Sequence, residues 1–178
     1  MKTHSHQQSH INESTAQNNY AEYLTFLLAG EEYGLDIMSV QEIQGWVEPN
    51  QIPHVPDYIL GVINLRGEVI PLLDLRHRLS LSSEKNQPNS NTVIIVVKLS
   101  TGDTIGLVVD AMSEIYKIER QQLKPSPDLN NDENANFLTS IATIEEKLIL
   151  LLDVDQLMNQ SDYELCEFNR QQCKFASH

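Results

Sequence analysis

Positive charge is scarce in this chain: 12 Lys and Arg stand against 25 Asp and Glu, a formal net charge of −13. That balance repels a phosphate backbone, so nucleic-acid binding is not expected. It also opposes an anionic membrane surface. Long apolar runs are missing, and none approaches the roughly 20 residues of a spanning helix, so direct membrane insertion is not expected. Residues 1–20, MKTHSHQQSHINESTAQNNY, hold no hydrophobic segment and do not read as a signal peptide. A cytoplasmic location follows as the expectation. Cysteine is limited to Cys166 and Cys173, which in a reducing compartment read as free thiols.

Motifs of chemistry are missing too. There is no Walker A sequence, no Gly-x-Gly-x-x-Gly, no Cys-x-x-Cys and no Gly-x-Ser-x-Gly. His54 and His77 are isolated, and nothing places Asp36 and Asp110 together as an acid–base pair. His4, His6 and His10 belong to a polar segment without anchoring structure, which rarely makes a specific metal site. The chain is read as a non-enzyme, with no cofactor, metal or catalytic residue.

What is present is a 40% hydrophobic sequence arranged in short β-type runs. They are YLTFLLA (23–29), EYGLDI (32–37), ILGVINL (59–65), EVIPLLD (68–74), TVIIVVKL (92–99), TIGLVVD (104–110), SEIYKI (113–118), FLTSIATI (137–144) and KLILLLD (147–153). Runs of this length bounded by Gly, Pro, Asp or Asn predict a mainly β fold of closed or partly closed barrels. Residues 1–20 read as a disordered tail, 21–160 as the folded part and 161–178 as a second tail with helical potential. Residues 80–91, SLSSEKNQPNSN, read as a linker.

The linker divides a repeat. YGLDIMSVQEI (33–43) aligns with IGLVVDAMSEI (105–115) at an offset of 72, and VINLRGEVIPLLDL (62–75) aligns with IATIEEKLILLLDV (141–154) at an offset of 79. Two copies of one small β unit, packed as a pair, explain this. Asp74 and Asp153 recur in both copies before short helical stretches, where a carboxylate can accept free N–H groups.

The hairpin tips, by contrast, invert in sign. Asn64-Leu65-Arg66-Gly67 corresponds to Thr143-Ile144-Glu145-Glu146. Gly67 suits a tight turn. Arg66 reads either as a solvated turn residue paired with an acid such as Glu42, or as a side chain that reaches a partner. Arg76 and Arg78 would enlarge a basic patch around it. Ser39-Val40-Gln41-Glu42 fits a capping box, with Glu42 serving a helix start. Val40 with Ile43, and Met112 with Ile115, occupy equivalent places, as core residues or as an apolar groove where the copies meet.

The segments EEYGLDIMSVQEI, PDYILGVINLRGEVIPLLDLR, NTVIIVV, GLVVDAMSEIYKIERQQLKPSP and FLTSIATIEEKLILLLDVDQLM resemble the CheW family of chemotaxis coupling proteins across roughly residues 20–160. The resemblance implies two pseudo-symmetric, intertwined five-stranded SH3-like β-barrels. It also implies an adaptor that joins the cytoplasmic tips of chemoreceptors to the regulatory domain of the histidine kinase CheA. Carried over by position, the receptor-facing set is Val40, Glu42, Gly61, Arg66, Val93, Met112 and Ile115. Two departures stand out, Met112 in place of a smaller aliphatic residue and Ser140-Ile141-Ala142 in a stretch where glycine is frequent. Alternatives are an adaptor of another chemosensory pathway, serving surface or pilus motility, and a double barrel that encloses a small molecule.

Overall fold

The computed structural model describes residues 19–82, 87–126 and 136–175, with side chains as far as Glu167. The expected tail 1–20 falls almost wholly outside these residues, as do parts of the linker and of the loop after Pro125. Strands β1 (Tyr20–Leu28) and β2 (Glu31–Asp36) open the fold, and β3 (Val40–Gly45), β4 (Ile59–Leu65) and β5 (Glu68–Asp74) follow. A four-residue helix α1 (Leu75–Arg78) precedes β6 (Val93–Lys98), β7 (Thr104–Val109), β8 (Ala111–Glu119) and the short β9 (Leu123–Pro125). Strands β10 (Leu138–Ile144) and β11 (Lys147–Leu152) lead to helix α2 (Gln160–Phe175).

Two sheets form, mainly antiparallel. One has the order β3-β6-β7-β5-β4; the other runs β8-β1-β2-β11-β10-β9, so β9 gives it a sixth strand. The sequence repeats are therefore not the lobes. Each lobe combines the opening hairpin of one repeat with the later strands of the other. The junctions are the parallel pairs, β5 with β7 and β2 with β11.

Glycine marks both junctions. Gly34 lies opposite Leu151 and Gly106 opposite Leu72. A Cβ on Gly34 would stand 2.7 Å from Leu151 Cδ2, and one on Gly106 would stand 2.4 Å from Leu72 Cδ2. Neither glycine has the positive φ that would require it conformationally, so close packing is the reason for both.

Three apolar clusters result. Ile63, Ile70, Leu72, Ile94, Val96 and Val108 fill the first lobe, and Ile118, Ala142, Ile149 and Leu151 fill the second. The third and largest cluster lies between the sheets and includes Leu24, Phe26, Leu35, Leu73, Ile95, Val97, Leu107, Phe137 and Leu157. Each fully buried side chain of this kind contributes about 1.5–3 kcal/mol, so two small lobes are stabilised by the face they share. Neither ladder closes by backbone hydrogen bonds into a complete barrel; in the first lobe a side-chain pair spans the gap, as described below. Helix α2 packs Tyr163 and the free, buried Cys166 against the shared core. Burial, with Asp162 and Glu167 nearby, pushes the Cys166 thiol up to about 11.

The carboxylates placed by the repeat do cap. Asp74 accepts from His77 N at 3.4 Å, and Asp153 accepts from Asp155 N at 3.0 Å. The capping-box reading of Ser39–Glu42 fails. A 3-10 turn at Ile37–Ser39, capped by Asp36 at 2.9 Å from Met38 N, ends where strand β3 begins.

Two predictions follow from the packing and the turns. Gly106→Ala should lower stability by about 1–3 kcal/mol, since Leu72 is fully buried and has little room to yield; chemical denaturation measures this, and an unchanged midpoint would contradict it. Glu146 holds φ +67 where the first repeat has Gly67. Glu146→Gly should therefore stabilise by about 1 kcal/mol, read as a higher melting temperature.

Candidate functional site: the cleft between the lobes

Strands β3 and β8 are edge strands of the two sheets, and each carries a bulge against its neighbour. On β3, Val40 lies opposite Val97 and Ile43 opposite Ile95, so three residues on one strand match two on the other. On β8, Met112 lies opposite Phe26 and Ile115 opposite Leu24, with the same mismatch. A residue and its third neighbour face opposite ways on a regular strand; the extra residue brings both to one face. That face is the one turned toward the other lobe, because Val97, Ile95, Phe26 and Leu24 all belong to the shared core.

Val40, Val93 and Met112 pack on the edge of this core as half-buried residues. Ile43 and Ile115 continue it into solvent at 44% and 58% exposure. Val93 completes the surface from β6, opposite Gly45 of β3. The cleft is thus an apolar strip that starts in the interlobe core and ends on two exposed strand edges.

Arg66 and Glu42 form a separate feature. Arg66 occupies the β4–β5 turn at φ +52 with Gly67 at φ +87, and Asn64 Oδ1 accepts from Gly67 N at 2.9 Å. Its guanidinium lies 3.1 Å from Glu42, with side-chain exposures of 81% and 24% respectively. Glu42 is opposite Val96, a residue of the first lobe's interior, so its side chain stands on the barrel face of β3. Because β3 and β4 are the two edges of that sheet, the ion pair spans the gap that the backbone ladder leaves open. Leu65 packs against the same lobe interior.

Gly61 is placed differently. It is buried with φ +142, and a Cβ there would fall 2.2 Å from Asn50 O. Val62 and Asn50 exchange two backbone hydrogen bonds of 2.9 Å at this point. The glycine thus has a backbone cause, holding the β3–β4 connection against the sheet.

The expected basic patch is absent. Arg76 Nε donates to both carboxylate oxygens of Asp110 at 2.7 and 2.9 Å, and that hydrogen-bonded ion pair raises the guanidinium pKa. Asp110 also accepts from Ala29 N at 2.8 Å, tying the β1–β2 turn to the β7–β8 crossing. Arg78 packs on aromatic rings instead. Asp110 is thereby engaged away from Asp36, and neither has His54 as a hydrogen-bond partner among the described interactions. No group of three His, Cys, Asp or Glu among the described residues could hold a metal ion. No helix among them is long and apolar enough to cross a membrane.

The filled lobe interiors and the apolar interlobe cleft define a double-lobed β protein with an apolar strip between its lobes. Residues 22–162 match the CheW-like domain model, and the chain belongs to that family. It is 34% identical over 146 residues to the chemotaxis protein CheW of Klebsiella aerogenes, covering 82% of this chain and 86% of that one. It is 36% identical over 143 residues to a probable chemotaxis protein CheW of Rhizobium etli, covering 80% and 90%. Among solved structures, the scaffolding protein TtCheW of Thermoanaerobacter tengcongensis superposes with a TM-score of 0.72 at 34% identity, covering 80% of this chain and 94% of that one.

If the Arg66–Glu42 pair is a surface contact, as its exposure indicates, Arg66→Ala should cost less than about 1 kcal/mol of stability. Urea denaturation checks this. A loss of several kcal/mol would make the arginine a structural strut.

Proposed function

We propose that this protein is a non-enzymatic, cytoplasmic chemotaxis adaptor that couples the cytoplasmic tips of chemoreceptors to a CheA-type histidine kinase. The observation that carries the reading is the apolar cleft between β3 and β8, with an exposed arginine paired to Glu42 on the other face of β3. An amphipathic helical tip laid in such a cleft buries an apolar face on Val40, Val93, Met112 and Ile115. Arg66 and Glu42 then orient it, since charges at a rim govern register and approach more than raw affinity. Gly61 supports this surface through the backbone. The kinase regulatory domain, which in this family shares the fold, binds at the lobe ends.

The inverted charge at the equivalent turns supports the assignment. Glu145 takes φ +47, much as Arg66 takes φ +52, so the backbone does not select the arginine. Its side chain is kept for what it reaches. Which chemosensory pathway employs the adaptor is decided by the partner, and surface or pilus motility uses the same kind of contact.

The test is a pull-down of the full chain with a purified receptor tip and a kinase regulatory domain, comparing wild type with Arg66→Glu. The variant should keep its fold by circular dichroism, retain the kinase and lose receptor affinity at least about tenfold, the effect of about 1.4 kcal/mol. Equal receptor capture by both proteins would overturn the role of Arg66, and no capture by wild type would overturn the coupling function.

A further inference from the structure

Arg78 contacts the same position twice. Its guanidinium carbon lies 4.5 Å from the centroid of the Tyr58 ring and 4.5 Å from that of Phe137. These two residues correspond in the repeat, at the offset of 79 that also relates Asp74 to Asp153. The structure preserves the correspondence: Asp74 N donates to Tyr58 O at 2.8 Å, and Asp153 N donates to Phe137 O at 2.9 Å. The repeat mate of Arg78 itself is Leu157, and Arg78 Nε donates to its carbonyl at 2.6 Å. A side chain that meets both copies of one aromatic position, and the backbone of its own counterpart, lies at the pseudo-two-fold axis between the lobes.

Arginine suits that place. A planar cation packs on aromatic faces while its edge donates hydrogen bonds, which an ammonium group cannot reproduce in one geometry. Among the described residues Arg78 forms no ion pair, so its charge is directed to the rings and the carbonyl. The Tyr58 hydroxyl in turn bonds Asp162 on α2, which fastens the C-terminal helix to the same node. Phe137 and Leu157 belong to the shared core, and Tyr58 packs against it. Val40, Val93 and Met112 at the cleft rest on that same cluster.

We propose that Arg78 is a positioning residue for the interlobe cleft: it fixes the angle between the two lobes and thereby the separation of β3 and β8. The link to partner binding rests on the cleft being the receptor site; the lobe-angle role does not.

The experiment measures the lobes directly. Spin labels are placed at Glu68→Cys and Lys147→Cys, exposed repeat mates at the two hairpin tips, in full-length protein carrying Cys166→Ala and Cys173→Ser. Electron–electron double resonance then gives the interlobe distance distribution. The parent should give one narrow distribution. Arg78→Lys should broaden it with unchanged circular dichroism, and should weaken receptor-tip binding about tenfold, the scale of one lost stacked, hydrogen-bonded contact. Arg78→Ala should act in the same direction, and if it fails to fold the lysine variant decides.

A distribution as narrow in Arg78→Lys as in the parent would overturn the proposal, whatever happens to the melting temperature. Broadening with undiminished receptor binding would overturn the link to the cleft. If the parent binds no receptor tip, the coupling function fails, while the distance measurement still decides the role of Arg78.

Discussion

The parallel contact between one repeat's hairpin and the other repeat's final strand is the constraint on which this molecule depends. Neither repeat completes a sheet by itself. Each lends strands to its neighbour, and the exchange brings Gly34 under Leu151 and Gly106 under Leu72. Removing Cβ at those two points lets the leucines lie across the junction and fill the lobe interiors. Folding one lobe therefore requires the other, and the shared core becomes the largest cluster in the fold. The geometry also sends β3 and β8 to sheet edges, where a partner can reach them.

The cleft is a product of two bulges. Without them Ile43 would point away from Val40, and Ile115 away from Met112, so the apolar strip would be split between faces. Bulges commonly re-aim side chains at functional edges. Here they carry an apolar surface out of the protected interior while leaving the backbone continuous. The cost is an exposed edge, and polar residues on both strands, Gln41 with the acidic Glu42 and Ser113 with the acidic Glu114, help keep it from pairing indiscriminately.

Much of this was legible in the residues. The nine apolar runs became strands, the repeat gave the pseudo-symmetry, and the recurring Asp74 and Asp153 are caps. The capping-box pattern at Ser39–Glu42 misleads because Ser39 closes a 3-10 turn capped by Asp36, and Glu42, on strand β3, pairs with Arg66 instead of a helix N–H. The repeat carries the contrary signal: VQEI (40–43) aligns with MSEI (112–115), which overlaps the strand-like run SEIYKI. The partners of Arg76 and Arg78 were hidden for another reason. Asp110 is 34 residues from Arg76, and Phe137 lies in the other repeat, so long-range folding alone brings them together. Gly61 was visible as a special position, yet its cause, the approach of Asn50, was not.

Under the proposed coupling role, an acidic scaffold with a narrow apolar strip would bind through modest individual contacts, which an array would strengthen by holding many together. The central claim is that the strip between β3 and β8 is where the receptor lies. The most direct measurement is hydrogen–deuterium exchange of the full chain with and without a purified chemoreceptor tip. The account requires added protection along Val40–Gly45 and Ala111–Glu119, with the far edge strands β4 and β9 little changed away from the Arg66 turn. Protection confined to the lobe ends, with β3 and β8 exchanging as before, would contradict it.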